Sequence, residues 1–271
     1  DPDSHSVEEI IDLEDDPNNL FVLGDYAYVV TDDNSEELQI VDISNPSSPS
    51  VVGIYNAPGN SNMLGVYVVG DYAYLTRDSS GGDEFYVIDI SNPASPSFED
   101  SLNLGADGNE VYVTGNYAYV ASDSNNQELQ VIDISNPSSV SLAGSLNLTS
   151  NDNAETITGT GSILVIGRSG NTGRTHTVSI SSPTSPVLLG SYNTLGDVRD
   201  VTLGGDYAFL ATERNELEFQ IIDISTPSTP SFVSSLDAGN DLNGVAYSED
   251  FDRVFAVGDD NDTEFLVFAP Q

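Results

Sequence analysis

Hydrophobic residues run along this chain in short blocks separated by polar corners, and the blocks return in the same order. "GDYAYVV" at Gly24 comes back as "GDYAYLT" at Gly70, "GNYAYVA" at Gly115 and "GDYAFLA" at Gly205. A second block follows each: "LQIVDISNP" at Leu38, "FYVIDISNP" at Phe85, "LQVIDISNP" at Leu129 and "FQIIDISTP" at Phe219. Its aspartates are Asp42, Asp89, Asp133 and Asp223, with Ser179 in the same place of a degenerate copy, "SISSP". These positions follow one another at steps of 47, 44, 46 and 44 residues. A fixed period of this length marks repeated supersecondary units rather than separate domains.

One unit, Leu64 to Leu104, parses into "LGVYVV", a Gly70-Asp71 corner, "YAYLT", the loop "RDSSGGDE", "FYVIDI", the turn "SNPASP" and "SFEDSLNL". Short apolar runs joined by such turns predict four antiparallel strands. Tyr72, Ala73, Tyr74 and Leu75 do not alternate with polar residues, so both faces of each small sheet are expected to be covered. Blades of a β-propeller meet that condition, with small Ala27, Ala73, Ala118 and Ala208 suited to crowded positions.

The last copy, "FDRVFAVGDDNDTEFLVFAPQ", stops at its third strand, and the N-terminal "SHSVEEIIDLE" reads as a fourth strand lacking the first three. The expectation is an all-β chain, a single six-bladed β-propeller over 1–271. Its four-stranded blades would repeat about every 45 residues from about 19 to 268, with an outer strand for the last blade from about 6–13, Val7 to Leu13.

Those phrases resemble the LVIVD repeat, a family of bacterial and archaeal propeller repeats akin to the surface-layer type. The resemblance covers nearly the whole chain, most weakly in the fourth and sixth copies. It implies the fold, and many such proteins are exported or displayed at the cell surface. It carries over no catalytic residue, because the shared motif consists of strand and turn positions. The fourth copy departs most, with "GSILVIG" lacking the tyrosines and Ser179 replacing Asp.

Charge narrows the function. Forty-four acidic residues face six arginines and no lysine, for a formal charge of −38, which argues against a nucleic-acid partner. Carboxylates in such number keep a surface solvated, and where clustered they suit a hard cation such as Ca²⁺. Cysteine is absent, so disulfides and thiolate metal sites are excluded. No apolar run is long enough to insert into a membrane. The chain opens at Asp1 without Met, as a mature or excised domain would, so an extracellular or cell-surface location is expected. The domain is read as monomeric and as part of a larger anchored protein.

Catalytic signatures are missing: there is no G-x-S-x-G, no H-E-x-x-H and no P-loop, and the histidines are His5 and His176 alone. The aspartate of each "DISNP" reads as turn chemistry, accepting backbone N–H bonds. In a propeller the loops between second and third strands share a face with those entering the inner strand, and these loops vary most. Five are acidic. The fourth carries Arg168, Arg174 and His176, and Arg199 and Arg214 follow nearby, a positive notch suited to a carboxylate or sulfate. Pairing with Glu213, Asp200 and Glu216 is the competing reading.

Asn19, Asn109, Glu110, Glu155, Asp200 and Asn243 are expected around the axial opening, where converging oxygens suit Ca²⁺; Asn109, Glu110, Glu155 and Asp200 are the foremost metal candidates. The function read from the sequence is a non-catalytic recognition or structural module for a cell-surface glycan or protein. Alternatives are a carbohydrate-active enzyme using channel carboxylates such as Glu110 or Asp200, and the displayed head of a pilin-like filament or envelope protein.

Overall fold

The computed structural model describes residues 8–13, 15–33, 35–59, 61–79, 82–148, 152–170, 174–239, 241–258 and 265–268. All regular elements among them are strands, and no helix is long and apolar enough to cross a membrane. The first blade comprises β1 (Pro17–Leu23), β2 (Tyr26–Thr31), β3 (Leu38–Asp42) and β4 (Ser50–Tyr55); the second, β5 (Met63–Val69), β6 (Tyr72–Arg77), β7 (Phe85–Asp89) and β8 (Ser97–Leu102). The third has β9 (Gly108–Thr114), β10 (Tyr117–Ser122), β11 (Leu129–Asp133) and β12 (Ser141–Leu146); the fourth, β13 (Ala154–Thr160), β14 (Ile163–Arg168), β15 (Arg174–Ser179) and β16 (Val187–Asn193). The fifth has β17 (Val198–Gly204), β18 (Tyr207–Thr212), β19 (Phe219–Asp223) and β20 (Ser231–Leu236), and the sixth β21 (Leu242–Ser248), β22 (Arg253–Gly258) and β23 (Phe265–Phe268). The fold is an all-β, six-bladed propeller, each blade an antiparallel sheet in sequence order.

The chain divides into two compact units, one holding 5–124 and 130–143, the other 125–129 and 144–271. In the first, β1, β5 and β9 lie side by side; in the second, β13, β17 and β21 do. Stacking blades covers both sheet faces, which is why β6 is buried from Ala73 through Arg77 without alternation. The core is accordingly a series of clusters between adjacent blades. Leu38 and Ile40 meet Met63, Leu75 and Ile88 in one of them; Val165 meets Val201 and Leu210 in another.

Local chemistry sets the corners. Gly70 lies at φ 59°, a left-handed conformation that costs other residues, and the corner glycines of four other blades, Gly24, Gly115, Gly161 and Gly205, repeat it. Blade spacing is tight at the outer strands: a Cβ on Gly53 would sit 1.9 Å from the carbonyl oxygen of Pro93 in the next blade's turn. Gly53→Ala is therefore expected to cost about 1–3 kcal/mol, read by urea unfolding; a loss below about 0.5 kcal/mol would contradict this packing.

Among the described residues the last blade has three strands. Residues 8–13, expected as its fourth, form no strand, and Val7 lies outside the described residues. The segment is nevertheless held against the first blade as an outer strand would be. Gln39 Nε2 donates to Leu13 O at 2.9 Å, as Gln130 does to Leu104 O at 3.2 Å. Ser47 Oγ donates to Glu8 at 3.5 Å, as Ser138 does to Glu99 at 2.5 Å. Glu8, Glu9 and Asp12 concentrate negative charge in this short segment, and Ile10 is exposed, which leaves little to drive ladder formation.

Candidate functional site

The repeated aspartates are turn residues by geometry. Asp42, Asp89, Asp133 and Asp223 accept the backbone N–H of Ser44, Ser91, Ser135 and Ser225 at 2.9, 2.8, 2.9 and 2.8 Å. Side-chain and backbone hydrogen bonds from those serines hold each carboxyl below the usual aspartate value. Ser179 Oγ takes the same part at 3.4 Å from Ser181 N.

A second row of carboxylates escapes the sequence reading. Glu37, Glu84, Glu128 and Glu218 stand immediately before the third strand of their blades, and all four are buried. Each accepts a backbone N–H twenty residues on: Ala57 at 2.7 Å, Leu104 at 2.6 Å, Leu148 at 3.0 Å and Ala238 at 3.0 Å. The carboxylate thereby ties the loop before the third strand to the connection leaving the blade. Its signal was present as a constant Glu in "EELQ", "DEFY", "QELQ" and "LEFQ".

Polar partners beside this row alternate. In the third and fifth blades Gln130 and Gln220 donate to Ser122 and Thr212 at 3.4 and 3.3 Å. In the second blade the same two places hold Arg77 and Tyr86, the guanidinium 4.7 Å from the ring centroid. Arg77 is fully buried and donates to Asp83 O at 2.8 Å and Pro58 O at 2.9 Å. The fourth blade holds Arg168 and His176 there.

Arg168 and His176 were expected on an exposed loop and are instead buried, at 1% exposure each. Arg168 ends β14 and His176 lies within β15, where neighbouring blades cover them. Arg168 donates to Leu148 O at 3.2 Å and to Asp152 O, and lies 3.5 Å from the carboxylate of Glu128. Burial, with Arg168 and Arg174 adjacent, pushes His176 down to about 4. Arg174 opens β15 and is half-buried.

Arg199, Arg214, Asn109 and Asp200 each have partners of their own. Arg199 pairs with Glu213 through two nitrogens and approaches Glu155 at 3.9 Å. Arg214 donates to Leu195 O at 3.1 Å, and Asn109 to Asp123 at 2.6 Å, with Glu110 next to it in β9. Asp200 accepts Val201 N–H at 2.7 Å and Val245 N–H at 2.8 Å, and Thr156 Oγ1 approaches at 3.4 Å. It thus ties the inner strands of three blades, while burial pushes its carboxyl up to about 6. Among the described residues no three His, Cys, Asp or Glu side chains are grouped as metal ligands.

A cleft of about 940 Å³ opens between the fifth and sixth blades, on the side of the Gly-Asp corners. Its wall is aromatic. Phe209 stacks with Tyr247 at 5.4 Å, and Phe219 with Phe268 at 4.3 Å. Gly204 makes room for Tyr247, since a Cβ there would meet its ring at 2.8 Å. Tyr207 is 44% exposed at the rim, together with Asp206, Glu249 and Asp252. In other blades the isoleucine following the repeat aspartate, Ile90, Ile134 or Ile224, is buried in the inter-blade core. The sixth copy has Pro270 in that place of the sequence, outside the described residues.

A family model described as the LVIVD repeat matches residues 16–57, 62–103, 105–148, 177–194 and 195–238. The chain belongs to the LVIVD repeat family. The matched segments follow the first five blades and leave out the sixth blade and 149–176, the stretch carrying Arg168, Arg174 and His176. Among solved structures the chain is similar to a functionally unknown protein from Desulfotomaculum acetoxidans, with a TM-score of 0.78 and 17% identity, over 98% of this chain and 87% of that one. It is also similar to BamB from Moraxella catarrhalis, with a TM-score of 0.57 and 16% identity, over 92% of this chain and 67% of that one. At these identities the likeness is one of fold. Among curated proteins none matches the sequence.

Proposed function

We propose that this LVIVD-repeat propeller is a non-catalytic recognition module, extracellular or displayed at the cell surface, that binds a neutral glycan in the cleft between its fifth and sixth blades. The observation that carries this reading is the cleft itself, where aromatic rings stand beside carboxylates. The C–H faces of a sugar stack on Tyr207 and Tyr247, and its hydroxyls donate to Asp206, Glu249 or Asp252. A sulfated or uronic glycan is disfavoured by those same carboxylates, which outnumber Arg253 in the cleft, and by a chain charge of −38. Arg199 and Arg214, which would attract an acidic ligand to the polar loops, are occupied by Glu213 and Leu195 O. Asp200, whose value of about 6 suits a general acid, is spent on two backbone N–H groups.

Binding of neutral oligosaccharides, followed by saturation-transfer NMR and calorimetry, tests the reading. Tyr207→Ala is expected to weaken binding about tenfold, and Arg199→Ala on the other face to leave it unchanged. Binding of acidic glycans alone, or binding indifferent to Tyr207→Ala and Asp252→Asn, overturns it.

A further inference from the structure

The fourth blade breaks the carboxylate row in an informative way. Where Glu37, Glu84, Glu128 and Glu218 stand in other blades, it has Arg174. A guanidinium accepts no hydrogen bond, so Thr194, twenty residues on and buried, receives no carboxylate of the kind that meets Ala57, Leu104, Leu148 and Ala238. The second blade is the natural comparison, with Arg77, Glu84 and Tyr86 where the fourth has Arg168, Arg174 and His176.

Reversing that one charge sets Arg168 and Arg174 side by side next to His176, with the carboxylates of Glu128 and Asp152 acting on this group. The β14–β15 ladder pairs Ile166 with His176 and Gly167 with Thr175, so Arg168 and Arg174 are the next opposed pair, on the same sheet face as His176. Like charges directly opposed are destabilising. Glu128 answers Arg168 at 3.5 Å. By contrast, Arg174 Nε and His176 Nδ1 are both buried and have no hydrogen-bond partner, a costly arrangement unless something else fills it. In a chain with six arginines and forty-four acids, two arginines and a histidine converge where the repeat elsewhere places a carboxylate.

We infer that the fourth blade binds a small monocarboxylate, held by Arg174 and His176 in the place that the glutamate carboxylate takes in the other blades. Two carboxylate oxygens suit the paired donors of a guanidinium, and the His176 ring supplies a further N–H. The site is separate from the glycan cleft, so either can fail without the other.

The full chain is titrated with sodium acetate, and in parallel with glucuronate, each exchanged for chloride at constant ionic strength. The ring signals of His176 and the melting temperature are followed. Saturable ring shifts with a melting-temperature rise of roughly 5 °C at saturation are expected. Saturation by acetate indicates a free acid as the natural ligand, and saturation by glucuronate alone a uronic sugar. Arg174→Glu, which restores the residue of the other blades, should raise the ligand-free melting temperature and abolish the response. His176→Gln should weaken it at least several-fold. Absence of a saturable His176 response to either acid, or a response that survives intact in Arg174→Glu, overturns the proposal. Should Arg174→Glu not fold, the titration of the parent and of His176→Gln decides.

Discussion

Replacing Glu128 by glutamine is expected to destabilise the protein by about 3–5 kcal/mol, a fall of roughly 10 °C in melting temperature. The reason is the neighbour, not the glutamate's own hydrogen bond. Glutamine still offers an oxygen to Leu148 N–H, but Arg168, at 1% exposure, loses the carboxylate 3.5 Å away. A buried cation that loses one of its carboxylates carries more of its desolvation cost uncompensated. Glu218 is the internal control, because Thr212 in its own blade and Gly258 in the next, rather than arginines, end the second strands. Its carboxylate accepts the N–H of Glu216 at 2.8 Å and of Ala238 at 3.0 Å, and Glu218→Gln, which gives up one of these bonds, should cost only about 1 kcal/mol. Adding Arg168→Met to Glu128→Gln should recover most of the loss, a non-additivity that urea unfolding of the single and double variants measures. An equal effect at Glu218 and Glu128, or additive losses, would show that the pair is not what the fourth blade depends on.

Acid should act on His176 and Asp200 in opposite directions. His176, pushed down to about 4 by burial and by Arg168 and Arg174 against a weaker opposing pull from Asp152, takes up its proton later in the folded chain than in the unfolded one. Its contribution is complete above about pH 6.5 and is lost as pH falls through about 4, by about 3 kcal/mol in all. Asp200, raised to about 6 by burial, binds its proton earlier when folded. Acidification over the same range therefore restores about 3 kcal/mol at that site. The two nearly cancel, and the parent should change little between pH 6.5 and 4 from these groups. His176→Gln should instead gain about 3 kcal/mol over the parent on that descent, and Asp200→Asn should lose a similar amount. Taking each variant's difference from the parent across pH 4–7 removes the contribution of every other carboxylate. Curves for His176→Gln and parent that run parallel would refute the assignment.

Local patterns made much of the fold legible. Gly-Asp corners, unbroken apolar blocks and a period of 44 to 47 residues specify blade boundaries and number, because turn geometry and two-sided burial are written in adjacent residues. The family resemblance followed from the same strand and turn positions. The candidate site was legible only in part. Arg168 and His176 were singled out through their rarity in an acidic chain, yet placed on a loop, since nothing within a few residues reveals that another blade covers them. The glutamate row was visible as a repeated letter but not as a function, because its partners stand twenty residues away. The cleft depends on Gly204, Tyr247 and Phe268, which meet only after blades stack.

By itself, then, the amino-acid order determined the repeating unit, its strands and corners, and the acidity that limits partners. Tertiary packing alone decided which charges are buried, which carboxylates are spent on backbone N–H groups, and where a cavity opens. The division has a physical cause. Backbone conformation answers to near neighbours, whereas desolvation and pairing of charges depend on residues brought together from different blades.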